Sequence, residues 1–454
     1  MAHVLRSVLL LAGRLVEGLA VAVAGLGAGL LVPRGRPTEA LMVVAVALVV
    51  VNALAFAGLY ADERGYGRRR SAVTAALITL VTVPVAERIV TWLAGTGRVD
   101  GVVWAVLAAT GVGLVRGGWG LVLHRLARLT TVARRVLVVG DRDRTLEVLS
   151  VLAGDERRWA FPVGVCLDRD PPRKPTMGGF IAGLDHAEAM VREHAVDDVI
   201  VAIPWSDSLR LSHCLEVLRP LTVDVHLFPE SAAPFARGEA LSLLAGVPMA
   251  KVGARPLSGR RALAKTIEDR VLGALILLAA LPLMAMVALA IKLDSRGPVL
   301  FRQSRYGYDN QPFTCFKFRS MEVNDDTDVR QATRDDPRVT RVGRFLRRTS
   351  LDELPQLFNV IAGTMSLVGP RPHAVSHHHY YARLVDDYRC RHRMKPGITG
   401  WAQIHGYRGE TSTVELMRKR VVYDLWYIDH WSLGLDLAIL ARTPLACLKG
   451  TNAY

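Results

Sequence analysis

Four stretches near the start of the chain, Leu15–Val32, Ala40–Leu59, Ala72–Leu93 and Val102–Leu123, are apolar on all sides. Each has the roughly 20 residues a helix needs to cross a bilayer. A chain carrying them does not fold as one soluble domain, and a hydrophobic share of 51% over 454 residues agrees. Arg64, Arg68, Arg69 and Arg70 follow the second stretch, and Arg125, Arg128, Arg134 and Arg135 follow the fourth. The positive-inside rule then places both regions and the N-terminus in the cytoplasm. Glu87 and Arg88 interrupt the third stretch and are expected to face a helix neighbour or the interface. Arg14 and Glu17 interrupt the first, and no A-x-A site follows, so no cleavable signal peptide is read.

A fifth apolar stretch, Val271–Ile291, differs from these. Pro282 stands near its centre, Asp269-Arg270 precede it, and Lys292 and Arg296 follow. A helix broken at mid-length with basic flanks on both sides suits a re-entrant hairpin over about 268–292; a plain span is the other reading.

Between the fourth and fifth stretches the period changes to alternating strands and helices. Arg135–Gly140, Val163–Asp168, Asp197–Pro204 and Val223–Phe228 read as buried strands, which implies a doubly wound parallel sheet of Rossmann type. Gly140 is followed by Asp141-Arg142-Asp143-Arg144, with no G-x-G-x-x-G. The backbone there cannot approach a pyrophosphate and the acids repel it, so no NAD is expected and the sheet reads as structural or regulatory. The fold class is a multidomain membrane protein: four transmembrane helices over 1–130, a Rossmann-like α/β domain over 131–235, a linker or short strands over 236–260, and an α/β domain with the re-entrant helix over 261–454.

The net charge of +15 suits nucleic acid, an anionic membrane face or a phosphorylated substrate. Five scattered cysteines (Cys166, Cys214, Cys315, Cys390, Cys447) form no C-x-x-C pair and read as reduced. Beyond the hairpin the cations gather: Arg302 and Arg305 in FRQSRYG, Lys317 and Arg319 in FKFRS, then Arg338, Arg341, Arg344, Arg347 and Arg348 ahead of the adjacent acids Asp352 and Glu353, and Arg371 between two prolines. Lys317 and Arg319 are alternate strand positions and are expected on one face. Such a ring around two carboxylates suits a substrate with more than one phosphate. A plainer reading of Ser350-Leu351-Asp352-Glu353 is a capping box, with Ser350 as N-cap.

FRQSRYG, FKFRSM, LRRTSLDELPQLFNV, SLVGPRPH and KPGITGWAQ stand in the order and approximate spacing of the bacterial sugar transferases, the polyprenyl-phosphate hexose-1-phosphate transferases, and from about Ser258 onward the chain resembles that family. The whole chain is similar to its large members, and the C-terminal motifs resemble the undecaprenyl-phosphate glucose phosphotransferases that begin exopolysaccharide or capsule repeat units.

The resemblance implies transfer of a hexose 1-phosphate from a UDP-sugar to undecaprenyl phosphate with release of UMP. The site would lie on the cytoplasmic face of a bacterial inner membrane, in a multi-pass protein with no nucleic acid partner and a possible homodimer. UDP-glucose is the first choice and UDP-galactose the second.

By the same resemblance Asp352 is the nucleophile that becomes phosphorylated, and Glu353, with Asp352, holds Mg²⁺. Arg302, Lys317, Arg319, Arg347 and Arg371 contact phosphate. Arg270 and Pro282 lie on the polyprenyl-phosphate side, and His373, Thr399, Trp401 and Gln403 on the nucleotide or sugar side. Leu281 stands before Pro282 where many relatives have Ser. His377-His378-His379 do not share a helical face and are not read as a metal site. The competing class is a membrane scaffold or nucleotide sensor, in which the acids only cap a helix.

Overall fold

The computed structural model describes residues 12–25, 37–56, 69–94, 101–128, 134–154, 160–169, 171–172, 180–230, 241–244, 247–322, 336–407, 409 and 413–448. These fall into two compact units, Met1–Arg134 with Val151–Phe161, and Arg135–Ser150 with Pro162–Tyr454.

In the first unit, α1 (12–25), α2 (Pro37–Phe56), α3 (Arg69–Ala94) and α4 (Gly101–Arg128) share a buried core of Val21, Val46, Val50, Leu54, Ala75, Val83, Trp104 and Val112. Polarity is inverted relative to a water-soluble bundle. Arg116 Nη1 meets Glu17 Oε1 at 3.0 Å with both side chains fully buried, while Leu15, Leu48, Leu77, Val81 and Leu114 face outward. Charge inside and apolar side chains outside is the arrangement a lipid surround favours. Among the described residues two helices are long and apolar enough to cross a membrane, Ser71–Ile89 within α3 and Gly259–Asp294; α2 contributes the shorter apolar stretch Val43–Leu54. Arg64 and Arg68 lie outside the described residues.

The second unit opens on the expected sheet. Its strands are β1 (Arg134–Gly140), β2 (Ala160–Leu167), β3 (Ile181–Gly183), β4 (Asp198–Ala202), β5 (Asp224–Leu227), β6 (Leu241–Leu244) and β7 (Val247–Gly253), in the order β3-β2-β1-β4-β5-β7-β6. β1 pairs with β4, β4 with β5 and β2 with β3 in parallel, whereas β7 runs antiparallel to β5 and β6. The stretch expected to be linker or short strands thus closes the sheet's edge. Leu137, Val139, Val199, Val201 and Val225 form the core against α6 (Ala187–Glu193) and α7 (Ser208–Leu218), with α5 (Arg142–Ala153) after β1. Beyond the carboxyl ends of β1 and β2, Arg210 bonds Asp141, Asp168 and Asp207. Three carboxylates on one guanidinium stand where a dinucleotide fold would place a pyrophosphate.

α8 (Gly259–Asp294) then runs for 36 residues with Pro282 inside it, as one helix and without the interruption expected at that proline. Ala280 and Met284, on either side of the proline, belong to one apolar cluster with Leu346 and Leu354, and such packing supports a helix across a proline. Both ends are fastened to the α/β core. Asp269 Oδ1 accepts from Leu367 N at 3.0 Å, from Ser366 Oγ at 2.8 Å and from Lys265 Nζ at 3.0 Å, and Lys265 also reaches Asp436 at 2.5 Å. At the other end Asp294 accepts from Val342 N at 3.1 Å.

The hairpin β8 (Leu300–Tyr306) and β9 (Pro312–Phe318) follows, then α9 (Arg341–Thr349), a 3₁₀ turn Leu351–Glu353 and α10 (Gln356–Ala362). β10 (Ser366–Val368) pairs in parallel with β11 (Gly397–Thr399); α11 (Val375–Leu384) and a 3₁₀ turn Tyr388–Arg393 lie between them in sequence, and α12 (Trp401–Ile404), α13 (Val414–Asp429) and α14 (Leu433–Leu448) follow. Gly343 lets α9 press on the end of β9: a Cβ there would stand 2.0 Å from Ser320 O.

Candidate active site

The acid pair is placed by a helix end. Thr340 begins α9, its hydroxyl accepting from Gly343 N at 2.9 Å, and Ser350 ends it in the left-handed region at φ 61, ψ 17. The capping-box reading is corrected in part: Ser350 is both the C-cap of α9 and the N-cap of the 3₁₀ turn that holds Asp352 and Glu353 between two helices, but its side chain makes no cap bond to that turn. A non-glycine residue held left-handed two positions before a pair of buried acids is the kind of local strain that functional sites keep. Asp352 is 9% exposed and Glu353 7%.

Cations close on them from two sides. Lys317 Nζ lies 2.8 Å from Glu353 Oε1 and 3.8 Å from Asp352 Oδ2. Arg371 donates from Nη2 to Glu353 Oε1 at 2.7 Å and from Nη1 to Oε2 at 3.2 Å. Arg347, in the last turn of α9, acts on Asp352 through its charge. Burial pushes the Asp352 carboxyl up from its ordinary value and Lys317 pulls it down; Glu353 adds to the rise, and Arg371 and Arg347 oppose it.

The hairpin register decides which arginine of FRQSR belongs here. Phe301 faces Lys317, Gln303 faces Cys315 and Arg305 faces Phe313, so Arg305 and Lys317 share a face of the ribbon. Arg305 Nη1 donates to Pro372 O at 2.8 Å and its charge reaches Glu353 and Asp352. Arg302 lies opposite Phe316 on the other face, exposed, its guanidinium 5.8 Å from that ring. Strand alternation in FRQSR was the available signal.

Arg319 departs from its expected place. Its Nη1 donates to Arg296 O and its Nη2 to Ser295 O, both at 2.8 Å. The last carbonyls of a helix lack intrahelical donors and carry the negative end of its dipole, and they capture this guanidinium although strand parity aligns it with Lys317. On α8, Arg270 is exposed and so is Pro282.

The residues assigned to the nucleotide or sugar side have structural partners. His373 is 7% exposed; Arg391 Nη1 and Arg420 Nη1 lie 3.0 and 3.2 Å from its Nε2, and Nδ1 is 2.7 Å from Tyr388 OH. Arg391 Nη1 also lies 2.6 Å from Nδ1, and burial, with the charges of Arg391 and Arg420, keeps the ring far below the usual histidine pKa. Thr399 meets the Thr443 hydroxyl of α14 at 2.8 Å, Gln403 Nε2 donates to Ile398 O at 3.2 Å, and Trp401 stacks on Trp426 at 4.7 Å. None of these contacts is with the acid pair.

Sequence reading missed the support behind the pair. Asn359 on α10 accepts from Phe316 N at 3.0 Å and donates to Thr314 O at 2.7 Å, fixing β9 beside the acids. Arg391, 1% exposed, donates to Arg371 O at 2.8 Å and to Asp424 Oδ2 at 2.6 Å. No periodic pattern marks either residue.

As oxygen donors, two adjacent buried carboxylates fit Mg²⁺, which takes one or two protein carboxylates and completes its shell with substrate phosphates. Chemically the arrangement offers an anionic nucleophile beside cations able to neutralise a diphosphate.

Residues 260–450 match the family described as bacterial sugar transferase, and residues 55–229 match one described as CoA-binding domain. The chain is 36% identical over 385 residues to the UDP-glucose:undecaprenyl-phosphate glucose-1-phosphate transferase of Xanthomonas campestris pv. campestris, covering 82% of this chain and 77% of that protein. A protein of the same name from Escherichia coli (strain K12) is 50% identical over 260 residues, 57% of this chain and 56% of its own length. One from Caulobacter vibrioides (strain ATCC 19089 / CIP 103742 / CB 15) is 52% identical over 193 residues, 42% of this chain and 72% of its own. The chain thus spans little more than half the length of the Escherichia coli relative.

Proposed function

The chain belongs to the bacterial sugar transferase family, and from that premise we propose that it moves glucose 1-phosphate from UDP-glucose to undecaprenyl phosphate and releases UMP. The observation that carries the reading is the buried Asp352–Glu353 pair held against Lys317 and Arg371. The three relatives above are named for this reaction on UDP-glucose.

In the proposed mechanism an Asp352 carboxylate oxygen attacks the phosphorus that bears the sugar. The bond from that phosphorus to the bridging oxygen breaks and UMP leaves with the electron pair. A phosphate oxygen of the lipid then attacks the same phosphorus and frees Asp352. Two displacements keep each step near a single anionic centre. Glu353 engages both Lys317 and Arg371, which leaves Asp352 the less compensated carboxylate. When the diphosphate arrives, Lys317 and Arg371 can share their protons with its oxygens, so that one anion can approach another. Glu353 and Asp352 would hold Mg²⁺, whose chemistry is to clamp the diphosphate and offset charge on departing UMP.

The membrane setting follows from α8. Its N-terminal end is fastened to β10 and α14, its C-terminal end to β9 and α9, and all four belong to one α/β core. A helix whose two ends are both held by one domain stays on that domain's side of the membrane, which supports a segment embedded from the cytoplasmic face over a plain span. Leu275, Leu278, Leu281 and Leu289 at its middle are exposed, as an embedded segment requires. The four N-terminal helices would cross the membrane, in a bacterial inner-membrane protein whose product begins an exopolysaccharide or capsule repeat unit.

The test is UMP release by the purified full chain with undecaprenyl phosphate, Mg²⁺ and a panel of UDP-sugars. Release with UDP-glucose above all others is expected; release with UDP-galactose alone would move the assignment to that sugar, and release with none would reject it.

A further inference from the structure

The 3₁₀ turn Tyr388–Arg393 presents Arg391 to the segment that carries Arg371, and Arg389 and Arg393 to the sheet domain. Arg391 Nη2 donates to the carbonyl of Arg371 at 2.8 Å, while Nε and Nη2 hold Asp424 Oδ2 at 3.1 and 2.6 Å. Arg371 is thus gripped at its backbone by a residue that never meets Glu353. From the same turn Arg389 pairs with Glu188 of α6, and Asp387, just ahead of it, receives Arg219 at 2.7 Å from the end of α7. Arg393 donates to Ala254 O at 2.6 Å, directly after β7.

Backbone strain marks the same seam. Asp387 has φ 60, and Asp309 and Asn310, in the 3₁₀ turn Tyr308–Asn310, have φ 55 and 52. Asp309 accepts from Thr222 Oγ1 at 2.9 Å, and Gly307 O lies 3.1 Å from His392 Nδ1. Asp and Asn take the left-handed region more readily than other side chains, and here Asp309 and Asp387 are also held by Thr222 and Arg219 of the sheet domain.

We propose that Arg391 is a positioning residue for the Arg371–Glu353 clamp, and that the sheet domain sets the clamp's geometry through the turn Tyr388–Arg393. The inference rests on the proposed transferase reading. It gives the domain without a dinucleotide fingerprint a task that needs no bound nucleotide. Arg391→Lys keeps a charge but loses the fork that spans Arg371 O and Asp424. The clamp then loosens on the diphosphate, and the effect falls on KM for the UDP-sugar.

The experiment uses the full chain in lipid nanodiscs, with UDP-glucose, undecaprenyl phosphate and UMP release, alongside thermal unfolding. Arg391→Lys is expected to raise KM about tenfold with a smaller change in kcat. In an Arg371→Ala background the same substitution is expected to add less than about twofold, because its route runs through Arg371. Glu188→Arg is expected to raise KM about threefold, and Glu188→Arg with Arg389→Glu to restore it. An equal factor in both Arg371 backgrounds, or lost folded protein with KM unchanged, would overturn the positioning role. An unchanged KM in Glu188→Arg would overturn the domain link. Wild-type protein that releases no UMP rejects the transferase reading and this inference with it, whereas active wild type with additive variants rejects this inference alone.

Discussion

Arg371 meets Glu353 with both ends of its guanidinium, Nη2 at 2.7 Å from Oε1 and Nη1 at 3.2 Å from Oε2, while its nearest approach to chemistry on Asp352 is through charge alone. A fork on one carboxylate divides the labour of two adjacent acids. Glu353 is held and oriented, and the proposed mechanism gives the attack to Asp352.

That division has a pH signature. Burial, ahead of the charge of Glu353, raises the Asp352 carboxyl above its ordinary 3.8, so UMP release should fall on the acid side as this group protonates, with a midpoint above 3.8. Stability runs the other way: a carboxyl raised in the folded state contributes most below its unfolded pKa and loses that contribution as pH rises through the folded one. Asp352→Asn should therefore lower UMP release on the order of 10⁴-fold while raising the unfolding midpoint by roughly 2–4 °C at neutral pH. A pH–rate profile and paired melting curves measure both.

Glu353→Gln keeps the shape of the side chain and removes its charge. Lys317 and Arg371 then lose the partner they share. The Mg²⁺ concentration for half-maximal rate should rise about tenfold or more, read from a Mg²⁺ titration of UMP release, with less change in thermal midpoint.

Three arginines separate site from scaffold. Arg305→Ala should raise KM and lower kcat, because Arg305 holds Pro372 O beside the acids. Arg302→Ala, exposed on the opposite face of the ribbon, should change kcat/KM less than about threefold. Arg319→Ala should lower the melting midpoint, since it uncovers the carbonyls of Ser295 and Arg296, and should leave KM close to that of the wild type. Steady-state kinetics with melting curves distinguishes the three.

Lys265→Met removes the cation that sits between Asp269 and Asp436, both buried, and leaves their charges uncompensated where α8, β10 and α14 meet. Breaking a buried ion cluster from one side costs about 3–5 kcal/mol. Loss of most folded protein on size-exclusion chromatography, or a strongly lowered midpoint, is expected.

Much of this was legible in the chain. Runs such as RVLVVG and DDVIVAIP, β-branched and uninterrupted, announce parallel strands buried on both faces, and they became β1 and β4. Asp352, Glu353, Lys317 and Arg371 could be grouped because charge of one sign around two acids is improbable without a ligand. Arg319 and Ser350 show the limit of local pattern. Strand alternation and S-x-x-E do not reveal the nearest orphan group, and in the fold Arg319 goes to the carbonyls at the end of α8 while Ser350 closes α9 without a side-chain cap on the turn that follows. The grip of Arg391 on Arg371 depends on residues brought together from separate elements, and no spacing encodes it.

The most direct measurement follows sugar-labelled UDP-glucose onto the protein. Purified full chain is mixed with it and Mg²⁺ but no lipid acceptor, quenched, and mapped by mass spectrometry. A hexose-phosphate adduct at Asp352, absent in Asp352→Asn and discharged when undecaprenyl phosphate is added, is the result expected. Full UMP release by Asp352→Asn, or an adduct on any other residue, would contradict the account.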